Sequence, residues 1–283
     1  MIQYLVYDVF TDTPFGGNQL AVIPDATALP EADLQKIAKE FNFSETTFIY
    51  PPVHAAHTAK VRIFTPTMEV AFAGHPTIGS AFALRDLGHV GNMVLELGVG
   101  PIPCHFAGDL ASFTTSARLE RLSTPAPELI ARALGLSASS INSTTHAPVQ
   151  ASLGLPFVIA ELDSAESLAT CAPNIDVLRE GARKHPGGLD FAIYVYVRRG
   201  SDIQARMFAP LDNIPEDPAT GSAAATLAAL LTEELKAAQN LRIAQGAQIG
   251  RPSLIIATTQ MLDPVPVTIS GQARRVMEGN LVY

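Results

Sequence analysis

The chain has 283 residues, of which 47% are hydrophobic and 16% charged, with a formal net charge of −8. This length exceeds what one core usually organises, so we expect two domains. The acidic balance provides no electrostatic footprint for nucleic acid or for an anionic membrane. No apolar run reaches membrane-spanning length, and the N-terminus lacks the basic region of a signal peptide. Only two cysteines are present, Cys104 and Cys171. They are expected to be small core residues of a cytoplasmic protein.

The first half of the chain alternates strand and helix patterns. Residues 31–41 place their apolar side chains on one helical face, which predicts a helix. A second helix is predicted from Pro76 to Gly88, because proline favours the first helical turn and glycine the end. Strands are predicted at 4–10, 19–23, 47–50, 61–64 and 93–97.

The second half follows a Pro/Ser/Thr-rich zone at 122–148, whose composition is typical of a domain junction. We therefore predict an N-terminal domain of residues 1–122, completed by 270–283, and a C-terminal domain of residues 123–269. A long alanine-rich helix is predicted to begin near Pro218. Further helices are predicted at 128–134 and 175–183, strands at 157–162 and 191–197, and short strands with turns from 253 to 283.

An internal echo links the two halves. RIFTP at 62–66 leads to GHPTIGSA at 74–81, and RMFAP at 206–210 leads to EDPATGSA at 216–223. The shared order of strand, loop and helix favours duplication over coincidence between Ala/Gly/Pro-rich stretches. Aligned on the shared Gly-Ser-Ala, the second segment places Asp217 opposite His75.

Each repeated loop enters a helix through small residues. The free N–H groups of a first helical turn, together with the helix dipole, form an anion site. A substrate carboxylate could bind there without an arginine. Either loop alone could equally be an ordinary helix start capped by Ser or Thr, with His75 structural and Asp217 a turn residue. The matched pair is what favours a site.

Glu45 lies in the segment FNFSETTFIY, close in sequence to three phenylalanines. Burial among these rings would favour a carboxyl group that takes up and returns a proton near neutral pH. Its local sequence alone, however, favours a solvated loop glutamate. Asn18, in FGGNQ, could orient a substrate or simply complete a turn.

Four ordered motifs together resemble the phenazine-biosynthesis PhzF-like family of the diaminopimelate-epimerase-like fold. They are DVFTDTPFGGNQLAVI, NFSETTFI, FTPTMEVAFAGHPTIGSA and PEDPATGSAA. The resemblance implies an α+β fold of two pseudo-symmetric domains, each a β-barrel-like sheet around a central helix. It also implies a homodimer. No metal, flavin or nucleotide cofactor is implied.

The family pattern assigns roles to seven residues of this sequence. Glu45 would be the general acid/base of an isomerase that moves a proton between carbons of a small acidic substrate. The best-known family reaction isomerises a dihydro-hydroxyanthranilate. His75, Asp217 and Ser222 would orient the substrate and relay protons, and Asn18, Gly74 and Gly221 would bind it.

Other functions remain open at this point. A non-catalytic small-molecule binder could keep the same fold. A serine hydrolase could use Ser222, His75 and Asp217, but Ser222 lacks a G-x-S-x-G elbow. A racemase with two thiols is disfavoured, because neither cysteine lies in a repeated loop. A metal site at His54 and His57 lacks a nearby carboxylate in the sequence.

Overall fold

The computed structural model describes residues 1–187 and 190–282. The chain divides into one unit of Met1–Thr114 with Ile269–Tyr283, and a second unit of Thr115–Thr268. Tyr283, the last residue of the predicted C-terminal segment, lies outside the described residues. No helix in the described part of the chain combines the length and apolar character needed to span a bilayer.

The N-terminal part of the chain contributes eight strands and two helices. Helix α1 is amphipathic and buries Leu34, Ile37 and Ala38, as its sequence period predicted. The strands are β1 (Ile2–Val9), β2 (Asn18–Ile23), β3 (Glu45–Tyr50), β4 (Ala59–Phe64), β5 (Glu69–Val70), β6 (Met93–Leu97), β7 (Gly100–Ala107) and β8 (Leu110–Thr115). The helices are α1 (Glu31–Phe41) and α2 (Gly74–Asp86).

The described residues of the remaining chain contribute eleven strands and four α-helices. The strands are β9 (Glu120–Ser123), β10 (Ile141–Asn142), β11 (Val149–Ser152), β12 (Pro156–Leu162), β13 (Ile193–Arg199), β14 (Asp202–Ala209), β15 (Ile214–Asp217), β16 (Asn240–Gln245), β17 (Ser253–Thr259), β18 (Val267–Gly271) and β19 (Ala273–Leu281). The helices are α3 (Pro127–Ala133), α4 (Ala165–Thr170), α5 (Ile175–Lys184) and α6 (Gly221–Leu235). Residue 122, the predicted end of the first domain, lies inside β9. The last strand, β19, returns to pair with β1.

The two units pair their strands in the same order and direction. In the first unit β2–β3 is parallel, β3–β4 and β4–β5 are antiparallel, β4–β6 is parallel and β6–β7 antiparallel. In the second unit β12 to β17 repeat that series pair by pair. The structure therefore supports the internal duplication that the sequence echo suggested.

A buried helix follows the fourth strand of each series. Helix α2 is buried from Gly74 to Leu84, and α6 is buried from Gly221 to Thr232 apart from partly exposed Ser222. A helix buried on all faces needs a surrounding layer, which the curved strands of each unit supply. Runs of alanine in α6 keep that helix slim enough to be enclosed.

An arginine–glutamate pair occurs at the same place in each unit. Nε and Nη2 of Arg62 contact the two carboxylate oxygens of Glu69 at 2.7 and 2.6 Å. The same atoms of Arg206 contact the two carboxylate oxygens of Glu216 at 2.8 and 2.7 Å. Each pair joins the third strand of its series to the fourth, so these residues give a structural alignment of the repeats.

This alignment corrects the one drawn from sequence. Helices α2 and α6 begin at Gly74 and Gly221, the same distance beyond the paired glutamates. Ser222 therefore occupies the position of His75, and the prediction that Asp217 matches His75 is wrong. The cause is extra chain between β14 and β15, which forms a short 3-10 turn at Pro210–Asp212.

Candidate active site

Glu45 is the first residue of β3, where it lies beside Leu20 of the parallel strand β2. Its side chain is 17% exposed. The solvated-loop interpretation of its local sequence is therefore wrong. In the second unit the register of β13 and β14 places Ala192 at the equivalent position. The duplicated fold thus carries a carboxylate at this point in one unit only.

His75 is the second residue of α2 and lies next to Glu45. Its Nδ1 is 3.4 Å from Oε2 of Glu45, and the histidine side chain is 5% exposed. Burial lowers the pKa of the imidazole to about 3, although a hydrogen bond with the backbone of Gln19 opposes the shift. His75 is therefore neutral at physiological pH, and the two side chains form a polar contact rather than an ion pair.

The second ring nitrogen of His75 has no hydrogen-bond partner among the described residues. A buried polar atom without a partner is costly in a folded protein and marks a place where a ligand can bind. Because Nδ1 lies beside Glu45 and the Gln19 backbone, we assign the proton to Nδ1. Nε2 is then a hydrogen-bond acceptor.

We expect this buried histidine to make the protein less stable in acid. Its pKa falls from 6.5 in the unfolded chain to about 3 in the fold, so the unfolded chain binds the extra proton. This stabilising contribution is complete above pH 6.5 and is lost as the pH falls towards 3. Between pH 7 and pH 4.5, the unfolding free energy of the wild type should fall by about 2 to 3 kcal/mol more than that of His75→Asn. Urea denaturation at both pH values measures this difference.

Exposed His105, in the same unit, provides the control for that comparison. His105→Asn should keep the wild-type change in unfolding free energy between the two pH values. An equal pH dependence in wild type and His75→Asn would contradict a buried neutral imidazole.

Asn18 begins β2, two residues before the residue that lies beside Glu45. Its side chain is buried, with 2% exposed. Since β2 and β3 run in parallel, Asn18 and Glu45 start their strands at the same edge of the unit. The contact between Glu45 and His75 places the N-terminus of α2 there as well. The first unit thus brings together Asn18, Glu45, Gly74 and His75.

Asp217 ends β15 in the second unit and is 5% exposed. The hydroxyl of Thr220 donates to its Oδ2 at 2.6 Å. Gln245, at the end of β16, donates to the backbone oxygen of Asp217 at 2.8 Å. Gly221 and Ser222 follow as the first two residues of α6. The second unit thus brings together Asp217, Gly221 and Ser222, and adds Thr220 and Gln245, which the sequence analysis missed.

Both central helices begin without a side-chain cap. The N-cap residues of α2 and α6 are Ala73 and Thr220, and neither side chain caps its own helix. In contrast, Ser164 and Asn174 cap α4 and α5 through their side-chain oxygens. The first-turn N–H groups of α2 and α6 therefore keep the capacity to bind an anion that the sequence predicted.

A glycine supports the loop before each central helix. A Cβ on Gly98 would lie 2.7 Å from Cα of Ala71, and one on Gly246 would lie 2.6 Å from the carbonyl oxygen of Pro218. Both distances are shorter than real Cβ contacts, so only glycine lets the loops approach this closely. Gly98 belongs to the Gly-Val-Gly sequence, whose role here is to support the loop that leads to His75.

Known proteins resemble this chain over nearly its whole length. The family model described as phenazine biosynthesis-like protein (PhzC-PhzF) matches residues 7–279. An uncharacterized isomerase of Mesorhizobium japonicum is 37% identical over 98% of this chain and 98% of its own. The trans-2,3-dihydro-3-hydroxyanthranilate isomerase of Pseudomonas fluorescens is 35% identical over 92% of this chain and 91% of its own.

A solved structure shows the same fold. The Bacillus anthracis phenazine biosynthesis protein of the PhzF family has a TM-score of 0.88 at 22% identity, with 100% of this chain and 99% of that chain covered. The chain belongs to the phenazine biosynthesis-like protein family. The predicted α+β fold of paired, helix-centred sheets is confirmed, and the named relatives make this family member an isomerase.

The cysteines of this family member lie outside the loops that lead into α2 and α6. Cys104 and Cys171 are both free and buried, in β7 and after α4. Burial raises the pKa of the Cys104 thiol to about 12 and that of Cys171 to about 11. Both are protonated at neutral pH and therefore poor bases. The prediction that they are ordinary core residues is confirmed.

His54 and His57 lie in a loop that a carboxylate closes. Contrary to the sequence analysis, a carboxylate is nearby: Oε1 of Glu96 is 2.8 Å from Nδ1 of His57. The same carboxylate accepts the backbone N–H groups of Val53 and His54. Across residues 1–187 and 190–282, no group of three or more His, Cys, Asp or Glu side chains could hold a metal ion. The contacts indicate that Glu96 has a structural role, in which it stabilises the loop that contains His54 and His57.

The hydrolase alternative gains no support from the second unit. There His146 contacts Tyr196 at 2.9 Å and His185 contacts Ser123 at 3.0 Å, so both described histidines have partners other than Ser222. Ser222 also starts a helix rather than a strand-to-helix elbow.

Proposed function

We propose that this isomerase moves a proton between two carbons of a small, unsaturated carboxylic acid, with Glu45 as the general acid/base. The contact between Glu45 and a neutral, buried His75 is the observation that carries the proposal. We place the substrate in the chemical class of trans-2,3-dihydro-3-hydroxyanthranilate, the compound named for the Pseudomonas fluorescens relative.

The reaction needs one group that both takes and returns a proton. Glu45, as carboxylate, removes a proton from a saturated carbon next to a double bond, and the C–H electron pair shifts into the conjugated system. The double bond moves, and protonated Glu45 delivers the proton to the carbon at the other end. Atoms and charge balance without an oxidant or reductant, and the carboxylate is regenerated.

His75 serves this cycle as a neutral partner. An imidazolium beside Glu45 would hold the carboxylate in its ionised form and oppose proton uptake. The neutral ring instead keeps Glu45 in place through Nδ1 and offers Nε2 to a hydroxyl or amino group of the substrate. The low pKa of His75 is thus useful for proton transfer in both directions.

We assign an anion-binding role to the first-turn N–H groups of the central helices, near Gly74 in the first unit and near Gly221 in the second. These groups are uncapped by side chains and lie close in sequence to His75 and Ser222. Binding an anion there requires no arginine and orients the reacting carbons relative to fixed side chains.

Isotope exchange in D₂O tests the proposal. The enzyme is incubated with trans-2,3-dihydro-3-hydroxyanthranilate and with related cyclic unsaturated acids, and both product and deuterium content are followed by NMR. We expect isomerised product from at least one acid, with deuterium at the newly protonated carbon. The amount of product must be measured as well as its deuterium content, because a proton that returns to the substrate without exchange with solvent leaves no deuterium.

Two variants make the assay decisive. Glu45→Gln should abolish both isomerisation and exchange, whereas Glu40→Gln, an exposed change on α1, should leave both intact. Saturable binding of an acid by calorimetry, without isomerisation or exchange, would instead support a non-catalytic binder. Conversion that survives Glu45→Gln would exclude the assigned acid/base.

A further inference from the structure

Asp217 is held by two residues to which no role has been assigned, Thr220 at its side chain and Gln245 at its backbone oxygen. The hydroxyl of Thr220 donates to Oδ2 of Asp217 at 2.6 Å. Nε2 of Gln245 donates to that hydroxyl oxygen at 3.0 Å and to the backbone oxygen of Asp217 at 2.8 Å. Oε1 of Gln245 accepts the backbone N–H of Thr220 at 3.3 Å. All three side chains are at least nine-tenths buried.

The donor and acceptor counts give this network one direction. A flipped Gln245 amide would face the Asp217 carbonyl with a second carbonyl, so the three contacts fix its orientation. Because the Thr220 oxygen accepts from Gln245, its single proton points to Asp217. The 2.6 Å distance is typical of a hydroxyl donating to a carboxylate.

Thr220 is used in an unusual way for its position. It is the N-cap of α6, where a threonine normally accepts an N–H from the first turn of the helix. Here it makes no such bond and contacts Asp217 instead. One residue therefore both fixes the carboxylate and leaves the start of α6 uncapped for a ligand.

The first unit shows that the fold itself does not need this network. Val70 lies opposite Ile63 where Asp217 lies opposite Met207 in the repeat. By the same alignment Ala73, the N-cap of α2, corresponds to Thr220. Leu97, which ends β6 before Gly98, corresponds to Gln245, which ends β16 before Gly246. In the first unit, three apolar residues thus occupy the positions that Asp217, Thr220 and Gln245 occupy in the second.

We infer that Thr220 and Gln245 are positioning residues, which hold the Asp217 carboxylate in the orientation required for proton relay. This inference rests on the proposed function, together with the proton-relay role that the family resemblance implies for Asp217. A polar triad that replaces three apolar residues of a duplicated fold is explained by chemistry at Asp217 and not by stability. Asp217 remains the residue that meets the substrate, and the other two act through it.

The repeat supplies the test variants. Thr220→Ala and Gln245→Leu install the residues that the first unit carries, so both should fold. Thr220→Ser keeps the hydroxyl. Thr232→Val removes a buried hydroxyl from the far end of the same helix, where it bonds to Ala228 and Thr259. Turnover of the acid that gives product in the isotope assay is measured, with high-resolution crystal structures of the variants.

We expect Thr220→Ala and Gln245→Leu to lower kcat about 10- to 100-fold with little change in KM, because a small displacement of a catalytic group has effects of that size. Thr220→Ser and Thr232→Val should keep wild-type kcat. In the crystals, the Asp217 carboxylate should rotate away in Thr220→Ala and stay in place in Thr220→Ser. In an Asp217→Asn background, Thr220→Ala should cause no further loss.

Three results would overturn the inference. They are an unmoved Asp217 carboxylate in both Thr220→Ala and Gln245→Leu, a loss in Thr220→Ser as large as in Thr220→Ala, or full additivity with Asp217→Asn. The crystal comparison needs no turnover, so it decides the positioning role even where Glu45→Gln disproves the proposed function.

Discussion

Glu45→Gln should lower kcat about 100- to 10,000-fold while KM stays within a few-fold of wild type, as expected for a lost general acid/base. The amide has nearly the same shape and keeps an oxygen near Nδ1 of His75, but it cannot accept or return a proton at neutral pH. Steady-state kinetics on the acid that gives product in D₂O measures the effect. Thermal unfolding should show little change, because only one partly exposed atom differs.

Glu45→Asp separates chemistry from position. It keeps the carboxylate but withdraws it by one methylene, so kcat should fall less than in Glu45→Gln. Glu40→Gln, at an exposed position of α1, should have wild-type kinetics. If Glu45→Gln and Glu40→Gln had equal kcat, the proton would have to be moved by another group.

Much of the fold could be predicted because local patterns decided it. The helix predicted at residues 31–41 and the strand predicted at 93–97 have those bounds in the structure. Strand β7 escaped prediction because Pro101 and Pro103 lie within it, and proline normally argues against a strand. Both prolines pair with residues of β6 in the structure. Nothing local to the prolines shows that the partner strand tolerates the missing N–H groups.

The candidate site also contains some residues that the sequence predicted and others that it could not. Glu45, His75, Asp217 and Ser222 stand in motifs, so the family resemblance found them. Gln245 lies 28 residues beyond Asp217 and meets it through pairing of β14 with β15 and β16, which no local signal reveals. The misalignment of Asp217 with His75 has a similar origin. The sequence alignment was placed on the shared Gly-Ser-Ala residues. It did not include the inserted turn before β15, which is visible only from the strand register.

Arg206→Met should lower the unfolding free energy by about 3 to 5 kcal/mol, the usual cost of leaving a buried ion without its partner. The side chains of Arg206 and Glu216 are 8% and 10% exposed. Nη1 of the arginine also donates to the carbonyl oxygens of Leu168 and Cys171 near the end of α4. The substitution therefore leaves a buried carboxylate and several carbonyl groups unsatisfied. Urea denaturation at pH 7 measures the loss.

The repeat again provides the matched control, since Arg62 makes the same bidentate pair at a more exposed place. Its side chain is 19% exposed, that of Glu69 is 43% and that of its second partner Glu31 is 74%. Arg62→Met should therefore cost about 1 kcal/mol, as for surface ion pairs. Equal losses at Arg62 and Arg206 would show that burial does not set the cost.

A double variant completes this argument and links stability to the site. Arg206→Met with Glu216→Met removes both charges, and it should recover most of the stability that Arg206→Met alone loses. Glu216 immediately precedes Asp217 on β15, so the ion pair anchors the strand that carries Asp217. We therefore expect kcat of the double variant to be lower than that of the wild type although its stability returns. A full recovery of both would mean that β15 keeps its position without the ion pair.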